Sequence, residues 1–260
     1  MVEALKRYTG TLLTLMIAFA LWEALVRLLH VPTYILPPPS RIISVFRTHF
    51  LLLLAHAGVT LIEVILGMLF GVCGGFALAI VIFYSRTLEN AIYPLIIASQ
   101  MIPVFAIAPL LVIWFGYGLW PKVTVAGLIV FFPIVVNTVD GLRSVNEETI
   151  DVLRSLNATR MQIFMHVRLP ASLPSLFSGL KVGVTLSVVG ATIGEWVGAK
   201  SGLGYLMIQS NALLRTDVVF AAILMLSLLG LLLFALVRII ERRFLRWRIP
   251  RNQMDRGRTK

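Results

Sequence analysis

The feature that most constrains this chain is a series of long apolar runs with few charges. A membrane-spanning helix needs about 20 such residues, because the hydrocarbon core of a bilayer is about 30 Å thick. Backbone polar groups find no water inside a bilayer, so each run predicts a helix. The sequence therefore predicts an all-α membrane protein, one transmembrane domain over residues 1–260 with six transmembrane helices. The predicted spans are residues 10–29, 56–84, 91–115, 123–139, 173–193 and 218–240.

Composition points to the same class of protein. Of the 260 residues, 58% are hydrophobic and 13% are charged, and the mean hydropathy is +0.91, which a soluble core does not accommodate. The first run follows Lys6 and Arg7 but is longer than the roughly 7–15-residue core of a signal peptide, and no small-residue cleavage site precedes His30. We expect it to be retained. The single cysteine, Cys73, leaves no intrachain disulfide to form and is expected to pack inside its helix.

Basic residues divide unequally between the two sides of this predicted bundle. Lys and Arg favour the cytoplasmic side of short connections. With the amino terminus inside, the other side receives only Arg27, Arg41, Arg47, Lys122, Lys200 and Arg215. We therefore expect both termini and residues 144–170 to be cytoplasmic. The net charge of +11 is attributed to contact with anionic lipid headgroups and not to nucleic acid.

Small residues and prolines predict how the spans pack. Gly67, Gly71 and Gly75 recur every four residues in the second span, a spacing that lets helix backbones approach closely. The third span contains Pro103 and Pro109, which predict one kinked helix. Before the second span, prolines 37–39 exclude a helix interior. A short amphipathic helix is predicted to follow them at the outer interface, capped by Ser40.

Three polar residues in or beside the spans are candidates for function. Gln100 precedes Pro103 and either lines a pathway or makes an interhelical hydrogen bond in a packed helix. Glu195, at the outer end of the fifth span, could face a central passage. Glu63 lies near the outer end of the second span and either finds a partner or reaches the interface. We take Gln100 and Glu195 as the candidate pathway-lining residues.

No stretch of the sequence predicts catalysis or cofactor binding. Residues 194–201, GEWVGAKS, nearly match the phosphate-binding pattern G-x-x-x-x-G-K-[ST], but that motif acts between a strand and a helix, and these residues follow a membrane helix. The four histidines lack the close spacing of a zinc pair. We expect no catalytic residue, no cofactor and no metal, so if the protein moves a solute uphill, its energy source must lie elsewhere.

Residues 144–170 form a polar insert between the fourth and fifth spans. Ser144 with Glu147, and Thr159 with Gln162, fit capping boxes that start two short helices. Asn157 is placed to end the first helix in a left-handed conformation, and Pro170 to stop the second. Helices this short are unstable alone, so their apolar face either meets a partner or folds back on the chain. The residues of that face are Ile150, Leu153, Leu156, Met161 and Phe164.

The insert resembles the cytoplasmic loop of permease subunits of bacterial ATP-binding cassette importers. Asp151-Val152-Leu153 matches an acid-small-small triplet weakly, Asn157 takes the place of a glycine, and residues 167–170 match a closing Ile-x-Leu-Pro. The stretches LPPPSRII, IPVFAIAPLLVIWFGYG, FFPIVVNTVDGLRSV and GEWVGAKSGLGYLM are similar to the branch that includes sulfonate, taurine, nitrate and thiamine-precursor permeases. This resemblance covers essentially the whole chain.

The resemblance implies a type I importer in the bacterial inner membrane. Two permease copies would form the pathway, two ATPase subunits would hydrolyse ATP, and an extracytoplasmic binding protein would deliver the solute. The residues it makes responsible for ATPase coupling are Ile150, Asp151, Leu153, Leu156, Asn157, Met161, Phe164 and Pro170. The loop GEWVGA most resembles that of permeases for riboflavin or for the aminopyrimidine precursors of thiamine. This resemblance implies a substrate of that kind, with nitrate, sulfonate or taurine as alternatives. A proton- or sodium-coupled secondary transporter using Glu63 and Glu195 is the competing class.

Overall fold

The computed structural model describes the backbone of residues 2–246 and the side chains from residue 9 onward. The basic residues expected in the cytoplasmic tail from Arg248 on lie outside the described residues. The helices are α1 (Val2–Leu28), α2 (Pro39–Thr48), α3 (Phe50–Tyr84), α4 (Arg86–Ser99), α5 (Val104–Phe115), α6 (Trp120–Arg143), α7 (Glu147–Ser155), α8 (Arg160–Ile163), a π-helical turn (Phe164–Arg168), α9 (Leu169–Gly198), α10 (Leu203–Ala212) and α11 (Thr216–Phe244).

Among the described residues, five helical stretches are long and apolar enough to cross a membrane. A sixth span results if α4 and α5 are counted together. These stretches coincide with the six predicted spans, which confirms the all-α membrane class. The spanning helices extend beyond several predicted ends, since the second span begins at Phe50 and the fourth runs from Trp120 to Arg143.

The third predicted span is broken instead of kinked. Helix α4 ends at Ser99, α5 begins at Val104, and the two are bent by 100°. Pro103 occupies the residue before α5 in an extended conformation, with φ −65° and ψ 113°. Its ring disfavours helical geometry at the preceding residue, so the chain leaves the helix there. The prediction of one continuous helix through Pro103 was wrong, whereas Pro109 does lie inside a helix.

The predicted stop at Pro170 is also wrong. Residues Arg160–Gly198 form one helical stretch of 39 residues that passes through Pro170. The turn before it, Phe164–Arg168, is π-helical, and the amide of Leu169 donates to the carbonyl oxygen of Phe164. A π turn inserts one extra residue into the hydrogen-bond ladder. The backbone hydrogen bonds have therefore already changed register before Pro170, which has no amide hydrogen to donate. The helix continues through this residue.

Two predicted serine caps were wrong because neighbouring residues start these helices. Helix α2 begins at Pro39, whose missing amide is not needed in a first turn. Ser40 lies inside α2, and its hydroxyl donates to Glu23 Oε1 at 2.7 Å. Helix α7 is capped by Asn146, whose Oδ1 accepts from the amide of Glu148 at 3.1 Å. The Ser144 hydroxyl instead donates to the Gly141 carbonyl at 2.8 Å.

The chain divides into two compact units, and the first comprises Met1–Thr60 and Ala199–Leu228. Helix α2 belongs to this unit and is amphipathic as predicted, with Ile42 and Val45 buried. The unit is tied across distant segments by polar contacts. Arg41 pairs with Asp217 at 3.2 Å, and the Thr216 hydroxyl donates to the carbonyl of Tyr34 at 2.6 Å.

The second unit comprises Leu61–Gly198 and Leu229–Lys260, and α6 is its central helix. Glycines of α3 and of α9 lie against α6. A Cβ on Gly71 would stand 2.6 Å from the Gly127 carbonyl oxygen, and one on Gly179 would stand 2.7 Å from that of Pro133. A Cβ on Gly67 or Gly75 of α3 would likewise stand 2.6 or 2.9 Å from the nearest atom of α6. The predicted close packing through glycines four residues apart is confirmed.

Candidate functional site

The insert between α6 and α9 folds as the local sequence predicts at its turn. Asn157 has φ 60°, the left-handed conformation that the sequence indicates for the residue after α7. Thr159 and Gln162 then form the predicted capping box. The amide of Gln162 donates to Thr159 Oγ1 at 3.3 Å, and the amide of Thr159 donates to Gln162 Oε1 at 2.8 Å. The helix–turn–helix shape of this segment is confirmed.

Arg168 holds the insert against the ends of α3 and α6. Its guanidinium donates to Glu147 Oε1 at 3.0 Å and to the carbonyl of Leu142 at 3.4 Å. It also lies over the ring of Phe83, 5.0 Å from the centroid. One side chain thus connects α7, the end of α6 and the end of α3, so that displacement of α7 would be transmitted to both spanning helices.

One apolar face of the insert is covered by the chain itself. Ile150 is 1% exposed and Phe164 is 5% exposed. The Phe164 ring packs 5.2 Å from that of Tyr84 and 5.9 Å from that of Phe83. Leu153 is half-buried. Ile150 and Phe164 are thus covered within this chain, Phe164 by the end of α3, and their expected part in ATPase coupling stays a prediction.

A second apolar face of the insert remains open. Leu156 is 72% exposed and Met161 is 59% exposed, and their neighbours Val152 and Met165 are 60% and 49% exposed. We call these four residues the outer face. In the part of the chain that the structure describes, nothing covers the outer face. The insert thus folds back on the chain through one apolar face, and a partner for the other face remains a prediction.

The other residues expected to act in coupling flank these faces. Asp151 is exposed and pairs with Arg154 at 2.9 Å. Asn157 is exposed at the turn, and Pro170 is half-buried near the start of α9. The Asp151 carboxylate thus lies beside the apolar outer face, so this surface carries both apolar side chains and a negative charge.

The two candidate pathway residues occupy different environments. Gln100 is exposed and caps the carboxyl end of α4, where the break before α5 begins. Glu195 is only 1% exposed. The Glu195 side chain is thus buried within the described chain, and its expected place beside a passage stays a prediction.

Glu195 belongs to a buried charged cluster with Glu63 and Lys122. The Lys122 ammonium lies 2.7 Å from Glu63 Oε1, and Glu63 is 0% exposed. The carboxyl of Glu195 interacts electrostatically with that of Glu63. The cluster joins α3, α6 and α9. Glu63 therefore finds a partner and does not reach the interface.

Sequence reasoning missed two lysines inside helices. Lys122 was expected on an outer connection, yet it is 7% exposed within α6. Lys181, in the middle of α9, donates to both oxygens of Glu241 at 2.8 and 3.0 Å. The sequence does contain a sign of these pairs, namely a lysine within an apolar run. Such a charge needs an acidic partner on a neighbouring helix.

Comparison with known proteins places the chain in a family. Residues 67–246 match the family model described as binding-protein-dependent transport system inner membrane component. The formylaminopyrimidine transport permease protein of Halalkalibacterium halodurans is 42% identical over 241 residues, which cover 92% of this chain and 95% of that protein. The riboflavin transport system permease protein of Chloroflexus aurantiacus is 37% identical, covering 95% and 94%. A putative aliphatic sulfonates transport permease protein of Bacillus subtilis is 31% identical, covering 94% and 90%.

A solved structure supports the fold independently. A chain of the MetNI methionine ABC transporter, in inward-facing form, aligns with a TM-score of 0.66 at 21% identity, covering 76% of this chain and 98% of that one. The family match, together with the long apolar helices, places the protein in the bacterial inner membrane with several spans. This chain therefore belongs to the family of binding-protein-dependent transport system inner membrane components, the permeases of ABC importers.

Proposed function

We propose that this chain is the pathway-forming subunit of an importer whose energy comes from a separate ATPase docked on the outer face of the insert. The observation that carries the proposal is the open apolar surface of Leu156 and Met161, held on a capped helix–turn–helix. Exposed methionine and leucine on a rigid support are typical of a surface that a partner covers. Asp151 beside this surface supplies a charge for a basic group of the partner.

In this proposal two copies of the chain form the pathway, two ATPase subunits bind their inserts, and an extracytoplasmic binding protein delivers the solute. ATP-driven approach of the ATPase subunits moves the inserts. Because Arg168 links α7 to α3 and α6, and Phe164 packs on Tyr84, the movement passes to the spanning helices. The bundle then opens to the opposite side of the membrane.

For the solute, we propose a small heteroaromatic compound of the aminopyrimidine or riboflavin kind. Support comes from the graded identities: relatives named for formylaminopyrimidine and riboflavin are 42% and 37% identical, whereas one named for aliphatic sulfonates is 31% identical. A sulfonate, taurine or nitrate is the second candidate. Calorimetric titration of the cognate binding protein with each candidate decides between them. A site that binds a sulfonate or nitrate anion has a different chemistry from one that binds a heteroaromatic ring, so one class should bind and the other should not.

The docking role is tested with Leu156→Asp and Met161→Asp. Burying an unpaired carboxylate in an interface costs more than about 2 kcal/mol, so each variant is expected to weaken ATPase binding at least about tenfold. Both should insert normally, yet transport-linked ATP hydrolysis and uptake should fall together in proteoliposomes that contain the ATPase and binding protein. Leu156→Met keeps the apolar volume and serves as the control. Wild-type uptake by both aspartate variants would contradict the proposal, as would uptake driven by an ion gradient without the ATPase.

A further inference from the structure

A cavity of about 650 Å³ lies between the insert and the adjoining ends of α3 and α4. Its wall is unusually basic, because five arginines face two glutamates. The charged lining residues are Arg86, Glu89, Arg143, Glu147, Arg154, Arg160 and Arg168. The cavity belongs to the second unit alone and is separate from the outer face.

Three of the five arginines already have acidic partners. Arg143 pairs with Glu89, Arg168 pairs with Glu147 at 3.0 Å, and Arg154 pairs with Asp151, outside the lining, at 2.9 Å. Arg86 and Arg160 have no ion pair within the described part of the chain, and both are exposed. Arg86 attracts Glu89, one turn along α4, without a salt bridge, so the guanidinium groups of Arg86 and Arg160 keep their hydrogen-bond donors for a ligand.

The remaining lining of the cavity is aromatic and apolar. Phe83, Tyr84, Ile150 and Phe164 contribute to it, and Asn90 adds a side-chain amide. Tyr84 is the last residue of α3, so the cavity lies where a span ends. Arginine forks match phosphate oxygens in geometry and charge. Basic pockets between spanning helices at this level suit phosphate-bearing headgroups.

We propose that this cavity binds a phosphate group through Arg86 and Arg160. The group comes either from an anionic lipid of the surrounding leaflet or from a soluble phosphate compound. Because Arg86 starts α4 and Arg160 starts α8, a bound phosphate bridges the membrane bundle and the insert. It would thus bias the position of the insert independently of the transported solute. The inference goes beyond the proposed function and does not rest on which ATPase or solute is used.

The test uses the full-length chain in nanodiscs of phosphatidylcholine. Native mass spectrometry measures retention of added phosphatidylglycerol, and thermal unfolding measures protection by inorganic pyrophosphate. The double variant Arg86→Gln/Arg160→Gln is compared with Arg238→Gln/Arg242→Gln, which removes two exposed arginines of α11 outside the cavity. Each basic group near an anionic headgroup contributes about fivefold in affinity. The cavity double variant is expected to lose at least about tenfold, and the α11 variant much less.

The two probes separate the sources of the phosphate. Retention of phosphatidylglycerol that depends on Arg86 and Arg160 identifies a lipid headgroup, while pyrophosphate protection that depends on them identifies a soluble compound. Arg86→Lys/Arg160→Lys should retain part of the binding, because charge persists without the planar fork. Equal binding by the wild type and both glutamine variants would overturn the proposal. Binding of neither probe by the folded wild type would also overturn it.

Discussion

At the scale of single residues, Lys122 shows how a charge persists inside an apolar bundle. Its ammonium lies 2.7 Å from Glu63 Oε1, and Glu195 is close to the same carboxyl. Isolated charges are costly at such positions, whereas opposite charges in contact offset part of that cost. The cluster therefore acts as a polar link among α3, α6 and α9, and we expect stability to depend on its charge balance.

Lys122→Met tests this dependence. The change leaves the buried Glu63 carboxyl without its cation, and removing one partner of a buried pair costs about 3–5 kcal/mol. The thermal unfolding midpoint in detergent, followed by tryptophan fluorescence, should fall clearly. Lys200→Met removes an exposed lysine and should leave the midpoint almost unchanged. Adding Glu63→Gln to Lys122→Met should restore part of the loss, and a midpoint equal to wild type for Lys122→Met alone would refute the link.

At the scale of helices, the distance between α3 and α6 depends on glycine. A Cβ at Gly71 would lie 2.6 Å from the carbonyl oxygen of Gly127 and 2.8 Å from Cβ of Val130. Real Cβ atoms do not approach backbone so closely, so α3 and α6 would have to separate. Gly74, three residues further along α3, has more room, since a Cβ there would have its nearest neighbour at 3.7 Å, on the Phe131 ring.

These two glycines form a matched pair of test sites. Gly71→Ala should lower the free energy of unfolding by about 1–3 kcal/mol, the usual cost of overpacking. Gly74→Ala should be neutral or stabilising by up to about 1 kcal/mol, because alanine favours the helix. Both changes add one methyl to the same helix, so their difference reports helix packing alone. Equal melting temperatures for the two variants would show that α3 and α6 are not in close contact in the membrane.

At the scale of the whole molecule, the distribution of basic residues predicts that residues 144–170 face the cytoplasm and Lys200 the opposite side. Cys73 is the only cysteine, so Cys73→Ser gives a background for labelling. A membrane-impermeant maleimide should label Lys200→Cys in intact cells. It should label Ser155→Cys, an exposed site on α7, only after permeabilisation. The reverse pattern would invert the orientation, and the insert could then not meet a cytoplasmic ATPase.

Features that depend on neighbours in sequence could be predicted. The six apolar runs, the turn at Asn157 and the capping box of Thr159 with Gln162 all follow from contacts within a few residues, and the structure has each of them. Close packing at Gly67, Gly71 and Gly75 was also predictable, since the spacing itself places small residues on one face.

Features that depend on distant contacts were decided only by the tertiary structure. Pro103 stands at a break between helices, whereas Pro170 and Pro109 lie inside helices, so a proline by itself does not say whether its helix ends. The helical periodicity of the insert does not predict which of its apolar residues the rest of the chain buries. Phe164 is buried because Tyr84 ends α3 beside it, whereas Leu156 is 72% exposed and meets no such aromatic neighbour among residues 2–246. Local preferences of the chain are enough to specify the membrane helices and the shape of the insert. Burial and charge pairing required the long-range packing that brings separate helices together.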